Sequence, residues 1–290
     1  MKIEKFTLNS LYDSLPLSCC AYLPEGEPKG IFQIVHGMCE YKERYDDFMR
    51  FLAENGLIAA AHDHRGHGKS VKEEADLGWF GDKKARAVVE DAVLVTRKLK
   101  ERYPNLPVTL FGHSMGSMVV RCYIQNYDDE IDRLIVCGSP SKNPFAAAGV
   151  AMAKSVALVK GERHRSDTLA QLSTGNGDKK FPGEGKGAWL TRNKSVVEAY
   201  NADPHCNFTF TCNGFENLFR LMQKTYAKNA YFVKKPIDED KWQKAQQLLR
   251  DVGYRNVSGK LYHQMRHEIL NEIDKEEVYG DLLAFSTRTL

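Results

Sequence analysis

The sequence predicts an α/β fold, in which a mostly parallel sheet carries helices on both faces. Four short apolar runs each lead into a glycine, a histidine or an aspartate: residues 31–35, 57–61, 108–111 and 134–137. Apolar runs without strict alternation are typical of strands that are buried on both faces. Helical patterns with one apolar face cover residues 82–103 and 115–127. Strands that alternate with helices favour a parallel sheet, and ligands of such sheets bind at the carboxyl ends of the strands.

The alternation of strands and helices stops after Pro140. Residues 141–222 are helix-prone and then rich in glycine and lysine, and we interpret them as an inserted cap or lid that lies over the site. Residues 1–140 and 223–290 then form the core. The second part of the core contains two predicted strands and a last predicted helix: residues 230–233, 259–262 and 269–285, respectively.

Charge and hydropathy exclude two kinds of partner. The 290-residue chain has a formal net charge of only +3, and its basic residues are spread out, so we expect no nucleic-acid partner. The most apolar window, residues 145–159, contains Lys154 and is too short to span a bilayer, so we expect no stable membrane insertion.

Cysteine usage and the first residues bear on localisation. The chain contains seven cysteines, an odd number, and no pair with the CxxC spacing. In a chain of this length, that pattern indicates reduced and mostly buried thiols. The first 24 residues lack a long apolar stretch behind a positive start, so no signal peptide is predicted. We therefore expect a cytoplasmic protein, with a secreted protein containing one disulfide as the alternative.

A candidate nucleophile follows the third apolar run. Residues 112–116 read Gly-His-Ser-Met-Gly, which matches the pattern G-x-S-x-G. An apolar strand precedes this pattern and an amphipathic helix follows it, and in this setting a strained turn exposes the serine Oγ. The helix N-terminus behind the serine also favours developing negative charge. Ser114 is therefore the predicted nucleophile.

A serine nucleophile needs a base and an oxyanion hole. His267 lies between the last predicted strand and the last helix, where the chain order serine, acid, histidine places the base. His263 is the competing candidate, because it lies four residues earlier, in or beside that strand. The hole combines the amide after the nucleophile with one from an earlier strand–helix loop. These donors are predicted to be the main-chain amides of Met115 and Met38.

Four motifs together carry a family resemblance. They are His36-Gly37-Met38-Cys39-Glu40 with Arg44-Tyr45, Asp63-His64-Arg65-Gly66-His67-Gly68-Lys69-Ser70, the serine motif, and Arg266-His267-Glu268. This combination covers nearly the whole chain and resembles the monoacylglycerol lipase and lysophospholipase-like branch of the α/β-hydrolases, the serine aminopeptidase S33 group. The resemblance implies nucleophile Ser114, base His267 and an oxyanion hole from Met38 and Met115. It also implies hydrolysis of carboxylic esters of acylglycerols or lysophospholipids, without a metal or an organic cofactor.

The third member of the triad departs from the family pattern. The resemblance implies an apolar strand and a Gly-x-x-Asp-Pro turn about thirty residues before the histidine, and the sequence has neither there. We therefore expect that one core strand and its acid-bearing loop are deleted, which would leave an impaired hydrolase. Asp238, Glu239 and Asp240 remain near that position, and we favour Asp240 as the acid. The alternative is that all three carboxylates cap the following helix.

Three other functions compete with the esterase. His62, His64 and His67 form an H-x-H-x-x-H pattern, which hints at a dinuclear metal hydrolase, although such sites need carboxylates as well. A scaffold that binds a ligand without cleaving it would fit a damaged acid region. Peptidase activity is suggested by the group's name alone, and amide cleavage demands better protonation of the leaving group.

The apolar stretch at residues 145–159 has two interpretations. It can form a wall of an acyl-chain pocket, or it can be an ordinary packed helix of the insertion.

Overall fold

The fold was analysed in a computed structural model, which describes residues 1–81, 84–174, 177–227, 238–240 and 243–288. Within them, eight strands form one sheet in the order β1-β2-β4-β3-β5-β6-β7-β8. The strands are β1 (Lys2–Asn9), β2 (Pro16–Leu23), β3 (Gly30–Val35), β4 (Leu57–His62), β5 (Val108–His113), β6 (Arg133–Cys137), β7 (Asp238–Asp240) and β8 (Val257–Ser258). Strand β2 pairs antiparallel with β1 and β4, and the remaining neighbours are parallel. The carboxyl ends of β3 to β7 therefore lie at one edge.

Helices cover both faces of the sheet. The α-helices are α1 (Asp46–Glu54), α2 (Lys84–Arg102), α3 (Met115–Tyr127), α4 (Ala146–Lys160), α5 (Asp167–Thr174), α6 (Lys194–Ala202), α7 (Cys212–Thr225), α8 (Gln243–Asp251) and α9 (Lys275–Thr287). Alternate residues of β3 point to opposite cores: Ile31 packs with α2 and α3, and Phe32 with α1 and α9. This two-sided burial explains the unbroken apolar runs. None of the helices in the described ranges is long and apolar enough to cross a membrane.

The predicted elements agree with the structure in the first half of the chain. Strands β3 to β6 and helix α3 match the predicted runs to within two residues, and α2 matches within the part that is described. In the second half, the prediction of a strand at residues 259–262 is wrong, because the strand there is Val257–Ser258. The last predicted helix divides into a 3₁₀ turn, Ile269–Asn271, and α9. The predicted strand at 230–233 lies outside the described residues.

The expected deletion of a core strand is only partly right. A strand, β7, occupies the place between β6 and β8, and its residues pair in register with both neighbours. The described residues of this strand are Asp238, Glu239 and Asp240, an acidic sequence that an apolar pattern could not reveal. The hydrogen bonds between strands are made by the backbone and do not depend on the side chains. The neighbouring strands β6 and β8 need partners for their backbone N–H and C=O groups, and β7 supplies them. The strand is therefore present, and what the sequence lacks at this position is the apolar pattern and the Gly-x-x-Asp-Pro turn.

The residues between β6 and β7 contain helices α4 to α7. Helix α4 lies on α7, where a Cβ on Gly149 would come within 2.7 Å of the Phe219 ring. Gly149 thus permits close helix packing. The other side of α4 is open: Leu158 and Val159 are 88% and 84% exposed.

Candidate active site

Ser114 lies at the turn between β5 and α3 in a strained conformation. Its backbone angles are φ +52° and ψ −114°, a combination that residues other than glycine rarely adopt. The Ser114 N–H donates to the Cys137 carbonyl at 2.8 Å, which fixes the turn against β6. Such a turn holds the serine side chain above the sheet, as G-x-S-x-G requires.

The glycines of the motif are required by close backbone approach. A Cβ on Gly116 would lie 2.0 Å from the carbonyl oxygen of Val35, and one on Gly112 would lie 2.4 Å from that of Gly116. No side chain could relieve these contacts, because the atoms involved belong to the main chain. The first turn of α3 therefore lies directly against the end of β3, where the Met38 loop begins.

A cavity of about 780 Å³ opens above Ser114. It is lined by four of the five candidate site residues: Ser114, His267, Met38 and Met115. Apolar side chains from α3 and from residues 190–222 form much of the wall: Met118, Leu190, Phe208, Phe215, Leu218 and Met222. Residues 145–159 do not line it, so the interpretation of that stretch as a pocket wall is wrong. Its inward side chains pack against α7 instead.

The structure separates the two candidate bases. His267 lines the cavity together with Ser114, whereas His263 lies on an exposed turn. The His267 ring lies between two other rings, with centroid distances of 4.8 Å to His113 and 4.8 Å to Trp189. Trp189, which lies in the loop before α6, could not be predicted from a sequence motif.

The candidate acid is located by its backbone alone. Asp240 pairs in register with Ile135 of β6 and Ser258 of β8. Cys137 of β6 pairs in register with His113, the residue directly before Ser114. Asp240 therefore lies two residues short of that level along the sheet. The side chains of Asp238, Glu239 and Asp240 lie outside the described part of the chain.

A buried charge network connects the two loops that carry the candidate site residues. Arg44 donates to both oxygens of Glu268 at 2.7 Å and to Glu40 at 3.0 Å. Glu40 also accepts hydrogen bonds from the main chain of Gly37, the Tyr45 hydroxyl and the His113 ring. The network thus joins the Met38 loop to the residue after His267. The sequence motifs contain these residues, but their spacing along the chain does not reveal that they meet.

The electrostatics of Glu40 follow from this network. Burial alone would raise the pKa of Glu40, but hydrogen bonding to His113 and the charges of His113 and Arg44 lower it to about 2. The His113 ring lies 3.1 Å from Glu40 on one side and 3.1 Å from the His267 carbonyl on the other. Glu40 therefore remains ionised and holds both the Met38 loop and the ring below His267.

The histidines of the H-x-H-x-x-H pattern lie in the core, not at a metal site. His62, His64 and His67 are fully buried and cluster with His36, whose ring centroid lies 4.3 Å from that of His64. Asp63, between two of them, pairs with Lys42 at 2.7 Å instead. Among the described residues, no group of three or more histidines, cysteines, aspartates or glutamates could hold a metal ion.

We expect the buried histidines to make the fold sensitive to mild acid. Burial lowers the pKa of His62 and His67 to about 4, whereas an unfolded histidine titrates near 6.5. Below pH 6.5 the unfolded chain binds protons that the folded chain does not, so stability falls by up to about 1.4 kcal/mol per pH unit per histidine. This loss continues to about pH 4. Urea unfolding at pH 7.5 and 5.5 measures it.

His62→Leu is the matched variant for this expectation. Neither ring nitrogen of His62 has a hydrogen-bond partner among the residues described, so the substitution removes a proton-binding site without breaking a bond. The stability difference between the two pH values should shrink in His62→Leu and stay unchanged in His263→Gln, whose ring is exposed. An equal pH dependence in all three proteins would contradict the expectation.

All seven cysteines are buried and none forms a disulfide, as the sequence predicts. Burial raises the pKa of Cys19, Cys20 and Cys206 to about 12. These groups therefore remain thiols at neutral pH.

Comparisons with known proteins agree with this geometry. Residues 26–274 match the family model described as serine aminopeptidase, S33. A monoacylglycerol lipase of Mycolicibacterium smegmatis is 26% identical over 273 residues, which is 91% of this chain and 90% of the relative. Human monoglyceride lipase is 31% identical over 198 residues, or 66% of this chain and 57% of that protein.

A solved structure resembles the whole fold. A carboxyl esterase from Bacillus coagulans, in complex with glycerol, superposes with a TM-score of 0.88 at 26% identity and 98% coverage of both chains. The family match extends over most of the chain and includes the strained Ser114 turn, the Met38 loop and the His267 loop. The chain therefore belongs to the serine aminopeptidase S33 family and is an α/β-hydrolase of the monoacylglycerol lipase and lysophospholipase type.

Proposed function

We propose that this protein is a serine hydrolase that cleaves carboxylic esters of small lipids, such as monoacylglycerols or lysophospholipids. The observation that carries the proposal is that a strained serine and a histidine from a distant loop line one cavity with apolar walls. An acyl chain is the substrate part that such walls bind, because burying apolar surface is favourable. The carboxyl esterase of similar fold, with its bound glycerol, supports the same substrate class.

The mechanism assigns one role to each residue. The Ser114 Oγ attacks the ester carbonyl carbon while His267 takes its proton. The amides of Met38 and Met115 donate to the oxyanion of the tetrahedral intermediate. When the intermediate collapses, His267 gives the proton to the leaving alcohol and an acyl-enzyme remains. Water, deprotonated by His267, then attacks the acyl carbon and releases the fatty acid and Ser114.

Fatty-acid release by the purified full chain tests this proposal. Monoacylglycerols, a lysophospholipid and p-nitrophenyl butyrate are the ester substrates, and an aminoacyl p-nitroanilide tests the peptidase alternative. We expect release from esters, with the anilide uncleaved. Cleavage of the anilide in preference to the esters would overturn the substrate assignment.

Asp240 is the proposed acid of the triad, because it is the last described residue of β7 and its backbone pairs with Ile135, two residues before the level of His113 on the strand that leads into Ser114. In a serine protease, replacing the triad aspartate with asparagine lowers kcat by about four orders of magnitude. We expect Asp240→Asn to lower ester turnover in the same direction, with Glu239→Gln as the matched control on the same strand. If the triple variant Asp238→Asn, Glu239→Gln, Asp240→Asn retains wild-type turnover, none of these carboxylates is the acid.

A binding scaffold is the second candidate, favoured by the lack of a Gly-x-x-Asp-Pro turn about thirty residues before His267. In that case the cavity would hold a lipid ester without cleaving it. A fluorophosphonate probe separates the two functions, since covalent labelling requires an activated serine. A folded protein that binds monoacylglycerol but is not labelled would support the scaffold and overturn the hydrolase.

A further inference from the structure

We propose that Trp189 is a positioning residue for His267, so that the insertion itself holds the base in its working orientation. The inference rests on the proposed function, because it concerns the base of that reaction. Trp189 lies in the loop before α6 and lines the same cavity as Ser114 and His267. Its indole ring packs on the His267 imidazole with a centroid distance of 4.8 Å and an interplanar angle of 46°.

The backbone around Trp189 binds the loop of the base at three successive residues. The His267 N–H donates to the Trp189 carbonyl at 3.4 Å, and the Glu268 N–H donates to the Leu190 carbonyl at 2.7 Å. The Arg266 guanidinium donates to the Ala188 carbonyl at 2.5 Å. Three consecutive residues of one segment therefore contact three consecutive residues of the other. This arrangement fixes the position of the base more firmly than a single ring contact would.

Arg266 strengthens the same junction with its side chain. It forms an ion pair with Glu184 at 2.8 Å and lies over the Phe181 ring, 4.0 Å from the ring centroid. Both partners belong to the insertion. The residue before the base is thus held by the same segment that supplies Trp189.

Gly177 and Asp178 hold the indole of Trp189 in place. A Cβ on Gly177 would lie 2.7 Å from Cγ of Trp189, so a larger side chain at this position would displace the indole. The Asp178 carboxylate accepts hydrogen bonds from the main chain of Gly187 at 3.1 Å and of Trp189 at 3.3 Å. Trp189 is therefore held in place before any substrate binds.

This contact matters most when the base carries a proton. During acylation His267 becomes an imidazolium, and an aromatic face stabilises a neighbouring cation. The centroid of the His113 ring lies 4.8 Å from that of His267, and Glu268, the residue after the base, is paired with Arg44. Trp189 thus orients the ring and also stabilises its charged form, two tasks that a triad acid normally performs.

The test compares Trp189→Leu and Trp189→Phe with the wild type. The rate of fluorophosphonate labelling of Ser114 is measured from pH 5 to 9, and circular dichroism checks folding. Trp189→Leu should label about five-fold more slowly, and the midpoint of its pH profile should move down by about half a pH unit. Trp189→Phe retains an aromatic ring, so its labelling rate and midpoint should lie between those of the wild type and Trp189→Leu. This variant provides the test if Trp189→Leu does not fold.

Gly177→Val displaces the indole without changing it, so it should reproduce the Trp189→Leu effect. Trp79→Phe is the matched control, because Trp79 packs against Arg163 instead. Tryptophan fluorescence gives a second measurement, because a protonated imidazole quenches an adjacent indole. The fluorescence of Trp189 is obtained by subtracting the spectrum of Trp189→Phe from that of the wild type. It should change with pH as His267 is protonated. Unchanged labelling and midpoint in both Trp189→Leu and Gly177→Val would overturn the inference. An unlabelled wild type would instead overturn the proposed function.

Discussion

Ser114→Ala is expected to abolish both ester turnover and fluorophosphonate labelling. The substitution removes the Oγ that forms the acyl-enzyme in the proposed mechanism. In serine hydrolases that have lost a triad member, about 10³- to 10⁴-fold acceleration over water remains, from the oxyanion hole and binding alone. We therefore expect turnover at least three orders of magnitude below the wild type, with monoacylglycerol binding retained.

The control for this variant is Ser117→Ala, on the same helix. Ser117 donates to the Ser114 carbonyl at 2.5 Å and is fully buried, so its loss costs stability without removing a nucleophile. Ser117→Ala should still be labelled. A Ser114→Ala protein that hydrolyses esters at the wild-type rate would show that another group is the nucleophile.

The turn that carries Ser114 and the strands around it could be predicted, because the pattern of the nearby sequence indicates them. The apolar run of β5 and the amphipathic face of α3 flank the serine, and Gly112 is demanded by a local contact with Gly116, although Gly116 itself is demanded by the Val35 carbonyl at the end of β3. Strands β1 and β2 were missed. Strand β1 is a half-exposed edge strand, with a charged sequence that lacks an apolar run.

Other features could not be predicted because they depend on distant parts of the chain. Arg44 and Glu268 are 224 residues apart in sequence, and Trp189 contacts His267 from a distant segment of the chain. Strand β7 is held by backbone pairing to β6 and β8, which leaves no hydrophobic signal. The sequence thus indicates which side chains can react, whereas the contacts that hold them in place require the folded structure.

Arg44→Met is the second substitution with a large expected effect. Arg44 is the cation between Glu40 and Glu268, whose side chains are only 3% and 4% exposed. Removing it leaves two buried carboxylates without their counterion, and breaking a buried ion pair in this way costs about 3–5 kcal/mol. In a chain of this size we expect Tm to fall by roughly 10 °C. Ester turnover should fall as well, because the network anchors the His267 loop.

The matched control is Arg50→Met, which breaks an ion pair with Asp46 four residues away. Both partners of that pair are well exposed, at 44% and 37%, and exposed pairs contribute less than about 1 kcal/mol. The double variant Arg44→Met, Glu268→Gln should regain part of the lost stability, because it replaces one stranded charge with a neutral amide. A buried carboxylate that has lost its cation must lower the free energy of unfolding. If Arg44→Met were no more destabilising than Arg50→Met, the network would therefore not hold the two loops together.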